Sequence, residues 1–325
     1  MNWVDARKLL LKMLLFGVLF LALDRFAGSI LRKGLDRYYS LTEPAGILCV
    51  GDSHTVLGID KVRMERETGV KVAKFALEGA NTLDRQALLN YYLRRRPNSV
   101  RVVVYDVSDH TFSNEGLSSN SYRLLFPFMD DSEVRNYVRK NCRDWTEYWL
   151  RRFLCTPRFD EGAVSLAMRG YLGNWSNLKY GTVDIVRLEK DITEGRYRPI
   201  LFDDVNIKVF EDSVETVRNH GIPIVLLYIP TVDVINRAEP EKHRIAVERF
   251  RALSKKDSGI IFLDYNSEYE EQHKLFYDPI HMNPEGQKLI TGRLIVDLRH
   301  ILDASHLSLS SKAVREKVND RDSAD

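Results

Sequence analysis

The sequence predicts an α/β protein built around a parallel sheet. Short apolar runs alternate along the chain with segments of helical periodicity, as they do in βαβ units. One of these runs, at residues 100–107, is β-branched and almost uninterrupted, which is typical of a central strand covered on both faces. At 325 residues, the chain is long enough to bury a sizeable core as one such domain with insertions.

The pattern predicts five strands, at residues 46–50, 70–76, 100–107, 222–230 and 259–264. It predicts helices at residues 82–95, 207–219, 239–254 and 284–302, with another helical segment starting near residue 58. Asn81 or Thr82 suits the N-cap of the helix at 82–95, and His220-Gly221 suits the end of the following one. This alternation predicts parallel strands joined by right-handed crossovers.

The regular order breaks down between residues 110 and 205, which we predict to be a mainly helical insertion, with helices near 131–152 and 161–170. Trp145, Trp149 and Trp175 fall within it. They form either the core of a small helical subdomain or a lid or substrate platform, since aromatic faces suit sugar rings and loops carry specificity. The charged tail at 305–325 lacks aromatic residues and is predicted to be disordered.

The first 31 residues predict a membrane anchor or signal segment. Arg7, Lys8 and Lys12 precede an apolar run of 11 residues at 13–23, and Asp24-Arg25 follow it. That run is shorter than the roughly 20 residues that span a bilayer. A longer segment, from residue 9 to residue 31, suffices if Lys12 extends toward the headgroups, although Asp24 and Arg25 then lie inside it or at its rim.

We favour an uncleaved, single-pass signal-anchor, because no convincing small-x-small cleavage site is present. A cleaved signal peptide and a core helix of a soluble cytosolic hydrolase are the alternatives. The basic residues before the apolar run place the N-terminus in the cytoplasm and the remaining chain in the periplasm or outside the cell. Residues 32–45 are then a linker to a domain at 46–304.

Charge and cysteine usage exclude some classes of partner. A net charge of +2 gives no reason to expect a nucleic-acid partner. Cys49 lies within an apolar strand, which predicts a buried free thiol. Cys142 and Cys155 could pair in an oxidising compartment, but no histidine pair accompanies them, so we expect no metal site and no cofactor.

Ser53 follows the first strand after a turn on Gly51, at the sheet edge where α/β proteins bind ligands. A serine there, with a helix N-terminus beside it, suits a nucleophile once a base accepts its proton. His281 is a side chain suited to that task near neutral pH, and a carboxylate such as Asp278 can fix its tautomer. Because Asp278 and His281 are three residues apart around a proline, one tight turn can present both.

These motifs resemble a known family. Gly51-Asp52-Ser53-His54 resembles the first block of the SGNH/GDSL hydrolases, and Asp278-Pro279-Ile280-His281 resembles their last block. Asn283 and Gly286 continue the resemblance into the closing helix. The resemblance implies the SGNH hydrolase fold, a flavodoxin-like three-layer α/β/α arrangement, and it implies Ser53 as nucleophile, His281 as base and Asp278 as its partner.

The family builds its oxyanion hole from the nucleophile's N–H, a glycine after the second strand and an asparagine after the third. Ser53 and Gly79 match the first two positions, but Tyr105-Asp106-Val107-Ser108-Asp109-His110 lacks the asparagine. An aspartate there is a poor oxyanion donor unless it is protonated. Ser108 and Asn81 are candidate substitutes. His54 and His110 are interpreted as locally packed or loop residues, and Asp52 as a partner of the backbone in the turn.

The function implied is acyl transfer through a seryl ester on Ser53, either to water, as an esterase, or to a hydroxyl, as an O-acyltransferase. Members similar to D-alanyl-teichoic-acid transfer and polysaccharide O-acetylation proteins favour an envelope polysaccharide or other acylated glycan as substrate. They also imply a multi-span membrane protein as acyl donor. The alternative is a non-catalytic envelope assembly or binding protein on the same fold, which the altered third block supports.

Overall fold

The computed structural model describes residues 3–96, 98–113 and 120–322, and this chain divides into two compact units. The helical unit comprises the described residues of Met1–Thr42 and Ser118–Trp175. The sheet unit comprises those of Glu43–Leu117 and Ser176–Asp325. The boundaries differ from the predicted ones, since the N-terminal helix joins part of the predicted insertion in one unit.

The sheet unit contains a five-stranded parallel sheet in the order β2-β1-β3-β4-β5, which is the strand order of flavodoxin-like sheets. Its strands are β1 (Ile47–Gly51), β2 (Val72–Ala76), β3 (Val102–Val107), β4 (Ile224–Tyr228) and β5 (Ile260–Asp264). Each begins one or two residues after its predicted start, so the α/β class and the parallel sheet are confirmed. A separate antiparallel pair, β6 (Phe276–Asp278) and β7 (His281–Met282), follows them.

The helices include those predicted at 82–95, 207–219, 239–254 and 284–302. In chain order they are α1 (Trp3–Tyr38), α2 (Ser53–Gly58), α3 (Lys61–Thr68), α4 (Thr82–Arg95), α5 (Ser132–Asn141), α6 (Trp145–Phe153), α7 (Glu161–Leu172), α8 (Ile185–Thr193), α9 (Asp204–Asn219), α10 (Asp233–Asn236), α11 (Pro240–Lys256), α12 (Asn266–Tyr269) and α13 (Pro284–Asp322). Short 3-10 helices occupy Ser121–Phe128, Thr156–Arg158 and His273–Leu275.

Side chains of a strand alternate between the two faces of the sheet, and both faces carry buried side chains here. Helices cover both faces. On one face, Cys49 of β1 lies in a buried cluster with Met64 of α3 and Leu294 of α13. On the other, the ring of Tyr105 of β3 packs edge-on against Phe210 of α9, with 5.7 Å between centroids. This arrangement is compatible with a three-layer α/β/α fold. It places the carboxyl ends of β1 and β3 at one edge.

The cysteines are free thiols. Cys49 is fully buried, as predicted, and burial raises the pKa of its thiol to about 12. Cys142 and Cys155 do not form a disulfide in the described structure.

In the helical unit, the second half of α1 packs against α7 at backbone distance. A Cβ at Gly170 would lie 2.0 Å from the carbonyl oxygen of Gly34, and one at Gly34 would lie 2.4 Å from that of Ala167. Asp24 of α1 is buried and accepts hydrogen bonds from the backbone N–H groups of Cys155 and Thr156, at 2.7 and 2.9 Å. This charged residue, which interrupts the apolar run, therefore fixes α1 to the chain that follows α6.

Two expectations change. Residues 32–38, predicted as linker, belong to α1. Residues 305–322 continue α13, and the disorder predicted for the tail stays a prediction. Trp145 and Trp149 do not form the core of the insertion, since they are 57% and 47% exposed, whereas Trp175 is half-buried. The two rings stack on the surface of α6.

Among the described residues, no helix combines the length and the apolar character that crossing a bilayer requires.

Candidate active site

The turn after β1 places Ser53 at the carboxyl edge of the sheet. A Cβ at Gly51 would lie 2.0 Å from Thr55 Oγ1 and 2.7 Å from Asp106 Cβ, so only glycine fits at the end of the strand. Asp52 caps α2 and accepts a hydrogen bond from the His54 N–H at 2.9 Å, which confirms its predicted contact with the backbone. Ser53 is then the first residue of the helix.

The short β6–β7 pair presents Asp278 opposite His281. Asp278 Oδ1 accepts hydrogen bonds from the backbone N–H groups of Ile280 and His281, at 3.0 and 2.9 Å, which fixes the carboxylate. Its Oδ2 lies 2.7 Å from His281 Nδ1, and His281 Nε2 lies 2.8 Å from Ser53 Oγ. The structure thus brings together the three residues that the motifs single out, 228 positions apart in the case of Ser53 and His281.

The charge of Asp278 decides the tautomer of His281. Partial burial would raise the pKa of Asp278, but hydrogen bonds from His281 and from two backbone N–H groups outweigh it and lower that pKa below its ordinary value. An ionised carboxylate only accepts hydrogen bonds, so Nδ1 of His281 donates to it. The neutral ring therefore turns the lone pair of Nε2 toward the Ser53 hydroxyl, as a general base requires.

Ser53 opens into a cavity of about 210 Å³. The residues that line it come from the carboxyl edge of the sheet, from helices α4, α8 and α10, from the turn before β7 and from the segment after α8: Asp52, Ser53, His54, Gly79, Arg85, Ser108, Asp109, His110, Leu188, Arg196, Tyr197, Arg198, Thr231, Ile235, Pro279 and Ile280. Residues 188–198 belong to the predicted insertion, so part of that insertion forms a wall of the cavity.

Two backbone donors are available for an oxyanion. Within the described chain, neither the Ser53 N–H nor the Gly79 N–H donates to a protein acceptor. Gly79 has φ +80°, which a side chain would strain, so glycine is required there. Gly79 and Ser53 both line the cavity, as the resemblance implies for oxyanion donors.

One of the two substitute donors is engaged elsewhere. Asn81 caps α4: its side-chain oxygen accepts from the Asp84 N–H at 2.9 Å, its own N–H donates to Asp84, and it is not among the described residues that line the cavity. Ser108 does line the cavity, and its N–H donates to Thr111 Oγ1 at 2.8 Å, which leaves its side-chain hydroxyl as the candidate donor. Ser108 therefore stays the candidate for a third oxyanion donor.

Two buried aspartates, Asp106 at the end of β3 and Asp109 just after it, have pKa values shifted in opposite directions. Burial, with the negative Asp52 nearby, raises the pKa of Asp106 well above its ordinary value. Asp109 is buried too, but a hydrogen bond from His243 and the nearby histidines outweigh burial and lower its pKa. Asp109 is the one that lines the cavity, and as an anion it donates no hydrogen bond to an oxyanion.

Beneath Ser53, Arg85 of α4 holds the turn. It donates to Asp52 Oδ2 at 3.2 Å and to the Asp106 carbonyl at 2.8 Å. His54 packs against the ring of His281, with 5.6 Å between centroids, and burial lowers the pKa of His54 to about 4 despite the neighbouring Asp52. Its predicted role as a local packing residue agrees with this position.

Asp52, His54 and Asp106 each have one potential metal-ligand atom within 4.8 Å of the others. The guanidinium of Arg85 already contacts Asp52 at 3.2 Å, and its positive charge opposes a cation at this place. His110, interpreted as a plain loop residue, instead lines the cavity, and burial lowers its pKa.

Sequence reasoning missed Arg85, Arg198, Thr231 and His243. None adjoins a motif, and Arg85 and His243 lie on ordinary amphipathic helices. Only the periodicity of α4, which turns Arg85 toward the sheet, carried a signal for one of them.

Comparisons with known proteins do not identify a family. No protein-family model matches the sequence, and no curated protein matches it. Among solved structures, the chain is similar to one from Streptococcus pneumonia described as a candidate platelet activating factor. The two are 12% identical, with a TM-score of 0.42 over 92% of this chain and 100% of the other. At this TM-score, the likeness carries no argument about fold or function.

Proposed function

We propose that the chain is an SGNH-type serine enzyme that transfers acyl groups from esters. The observation that supports this most is the continuous path of hydrogen-bonding distances from Ser53 Oγ through His281 to Asp278, at 2.8 and 2.7 Å. Ser53 follows β1, whereas Asp278 and His281 lie in one turn near the other end of the chain, so the fold brings them together. Ser53 also opens into a cavity. A histidine without a catalytic role need not contact a carboxylate with one ring nitrogen and a serine hydroxyl with the other, as His281 does.

The reaction follows from these positions. His281 Nε2 accepts the Ser53 proton as Oγ attacks the acyl carbonyl, and the N–H groups of Ser53 and Gly79 stabilise the resulting oxyanion. Collapse of the tetrahedral intermediate forms the seryl ester and releases the alcohol, which takes the proton from His281. Water or an acceptor hydroxyl then attacks the seryl ester, with His281 as base again, and Ser53 is regenerated.

We also propose an acylated envelope glycan as substrate and a multi-span membrane protein as acyl donor. Tyr197 supports a glycan, since its aromatic side chain lines the cavity and suits a sugar ring. Exposed apolar residues of α1, between Leu9 and Phe26, support attachment to a membrane. Both remain part of the proposal.

One observation favours a second candidate, a non-catalytic envelope assembly or glycan-binding protein. The ionised Asp109 lines the cavity, the third block lacks the family's asparagine donor, and the negative charge of Asp109 opposes an oxyanion. Such a protein retains the fold and the cavity without turnover.

A fluorophosphonate probe separates the two candidates. We expect the wild type to be labelled and Ser53→Ala not to be, while Ser254→Ala, which changes a serine of α11 outside the cavity, is labelled as the wild type is. Equal labelling of wild type and Ser53→Ala, or none of either, would contradict a nucleophilic Ser53. Appearance of acylated glycan when donor and acceptor are supplied distinguishes transfer from hydrolysis.

Membrane attachment has a separate test. The full chain should stay in the membrane fraction after an alkaline wash, and recovery in the soluble fraction would rule the attachment out.

A further inference from the structure

A second cavity, of about 400 Å³, lies within the helical unit. This volume is within the range of roughly 300–1,000 Å³ that small-ligand sites occupy. Four arginines line it: Arg25, Arg32, Arg152 and Arg158. Asp130 is the one acidic residue among the described residues that line it. The cavity is therefore strongly cationic, although no residue of it belongs to the sheet unit.

Two of the arginines are held in place by carboxylates. The buried Arg158 contacts Asp130 at 2.6 Å and donates through Nε to a backbone carbonyl. Arg32 contacts Asp36, one turn further along α1, at 2.8 Å. These pairs orient both guanidinium groups, and Arg32 also donates to the Pro127 carbonyl at 2.7 Å.

The other two arginines have no close contact with a carboxylate among the described residues. Arg25 donates to the Phe153 carbonyl and the Cys155 thiol, at 2.6 and 2.7 Å, and its carboxylate neighbour Asp24 is 3.9 Å away and bound to backbone N–H groups. Arg152 makes neither a hydrogen bond nor an ion pair with any described residue. Arg25 is exposed, but Arg152 is half-buried, and a half-buried guanidinium without a counter-ion favours an anionic ligand.

Exposed aromatic side chains lie next to one of the arginines that line this cavity. Phe26, which follows Arg25 in α1, is 66% exposed, and Phe153 of α6, whose carbonyl accepts a hydrogen bond from Arg25, is 62% exposed. Trp149 stacks on Phe153, with 5.5 Å between ring centroids. Aromatic and basic residues at the end of an exposed apolar helix are typical of a membrane interface.

The geometry points to a binding site for the phosphate group of a membrane lipid, with its acyl chains along the exposed apolar residues of α1. A guanidinium binds a phosphate oxygen pair with two parallel hydrogen bonds, and several arginines around one cavity match a phosphate better than a carboxylate. The inference rests on the proposed membrane attachment. It does not rest on the chemistry of Ser53.

Titration calorimetry on the full chain in a phosphate-free detergent tests this site with three probes: dihexanoyl phosphatidic acid, inorganic phosphate and dihexanoylglycerol. We expect the wild type to bind phosphatidic acid more tightly than either of the other probes. Arg152→Gln should weaken that binding about ten- to a hundredfold, the effect of losing a charge-assisted hydrogen bond. Arg143→Gln is the matched control, since Arg143 is an exposed arginine outside the cavity.

Arg152→Lys keeps the charge but loses the paired donors, so its affinity for phosphatidic acid should fall between those of wild type and Arg152→Gln. It replaces Arg152→Gln as the test variant if that variant does not fold. Equal weakening by Arg152→Gln and Arg143→Gln would overturn the site. Equal affinity for inorganic phosphate would overturn the lipid as its source, and equal affinity for dihexanoylglycerol would overturn the phosphate. Because no ester is hydrolysed, failure here leaves the labelling of Ser53 as an independent result.

Discussion

His281 and His243 both place Nδ1 against an aspartate near the carboxyl edge of the sheet, but their other nitrogens differ. His281 Nε2 lies 2.8 Å from Ser53 Oγ, whereas His243 Nε2 makes no hydrogen bond with any described residue. The contact with Asp278 is 2.7 Å and that with Asp109 is 3.2 Å. A histidine–aspartate pair thus also occurs without a hydroxyl at the second nitrogen, and the Ser53 hydroxyl is what distinguishes the His281 pair and supports the proposed function.

The pairs also differ in what they connect. Asp278 and His281 belong to one tight turn, so their contact is local and needs little of the tertiary fold. Asp109 and His243 are 134 residues apart, and their contact joins the segment after β3 to α11. We therefore expect the first pair to determine activity and the second to determine stability.

The largest expected effect separates the two histidines. His281→Ala removes the base, so kcat/KM for a soluble ester should fall by about four to six orders of magnitude. His243→Ala should lower it less than about tenfold, since among the described residues that line the cavity His243 forms a hydrogen bond only with Asp109. Steady-state hydrolysis by both variants checks this, and comparable losses would remove the distinction between the pairs.

The aspartates give the next largest effect. Asp278→Asn should lower kcat by about 10⁴, because the amide no longer fixes the tautomer of His281. Asp109→Asn replaces an anion in the cavity with a neutral group, so kcat/KM should be retained or raised. Its free energy of unfolding should fall by about 1–3 kcal/mol, since His243 loses a charged partner. Hydrolysis rates and denaturant unfolding of both variants test this, and a kcat loss in Asp109→Asn as large as that in Asp278→Asn would contradict it.

The comparison of the pairs shows what a sequence can predict. The five strands follow from local composition, and Ser53, Asp278 and His281 lie in short motifs, so all of these were accessible without the structure. The contact of Asp109 with His243 was not, because nothing local connects residues 134 positions apart. The protonation of Asp106 and Asp109 depends on burial and neighbours that only the fold supplies.

The helical unit was harder to predict for the same reason. The apolar pattern of α1 suggests an anchor, but its contact with α7 depends on Gly34 and Gly170 meeting at backbone distance. Asp24 reads as an awkward charge at the end of an apolar run, yet it accepts two N–H groups from residues 131 and 132 positions away. Periodicity also cannot show which of the aromatic side chains of α6 pack against the rest of the unit. In the structure Tyr148 is buried, whereas Trp145 and Trp149 are exposed.

A third histidine, His54, provides a pH-dependent test of stability. The folded protein keeps His54 neutral down to its pKa of about 4, whereas the unfolded chain protonates it below about 6.5. The unfolded state thus binds more protons between these values, so the stability contributed by His54 is present above pH ~6.5 and is lost as pH falls toward 4. The loss amounts to roughly 3 kcal/mol. Denaturant unfolding of His54→Gln should show a flatter dependence than wild type between those pH values, and an unchanged slope would contradict the assignment.

His243 should show the opposite sign and a smaller effect. Burial would lower its pKa, but the hydrogen bond with Asp109 and nearby carboxylates outweigh burial and raise it. Its stabilising contribution is therefore complete below about pH 6.5, the value of the unfolded chain, and is lost as pH rises through the folded pKa. The ring is still 20% exposed, so solvent screens the pair and the effect is smaller than that of His54. Unfolding of His243→Gln should lose this alkaline decline while the acidic one due to His54 persists, and if both declines vanish together, the two histidines are not independent contributors to stability.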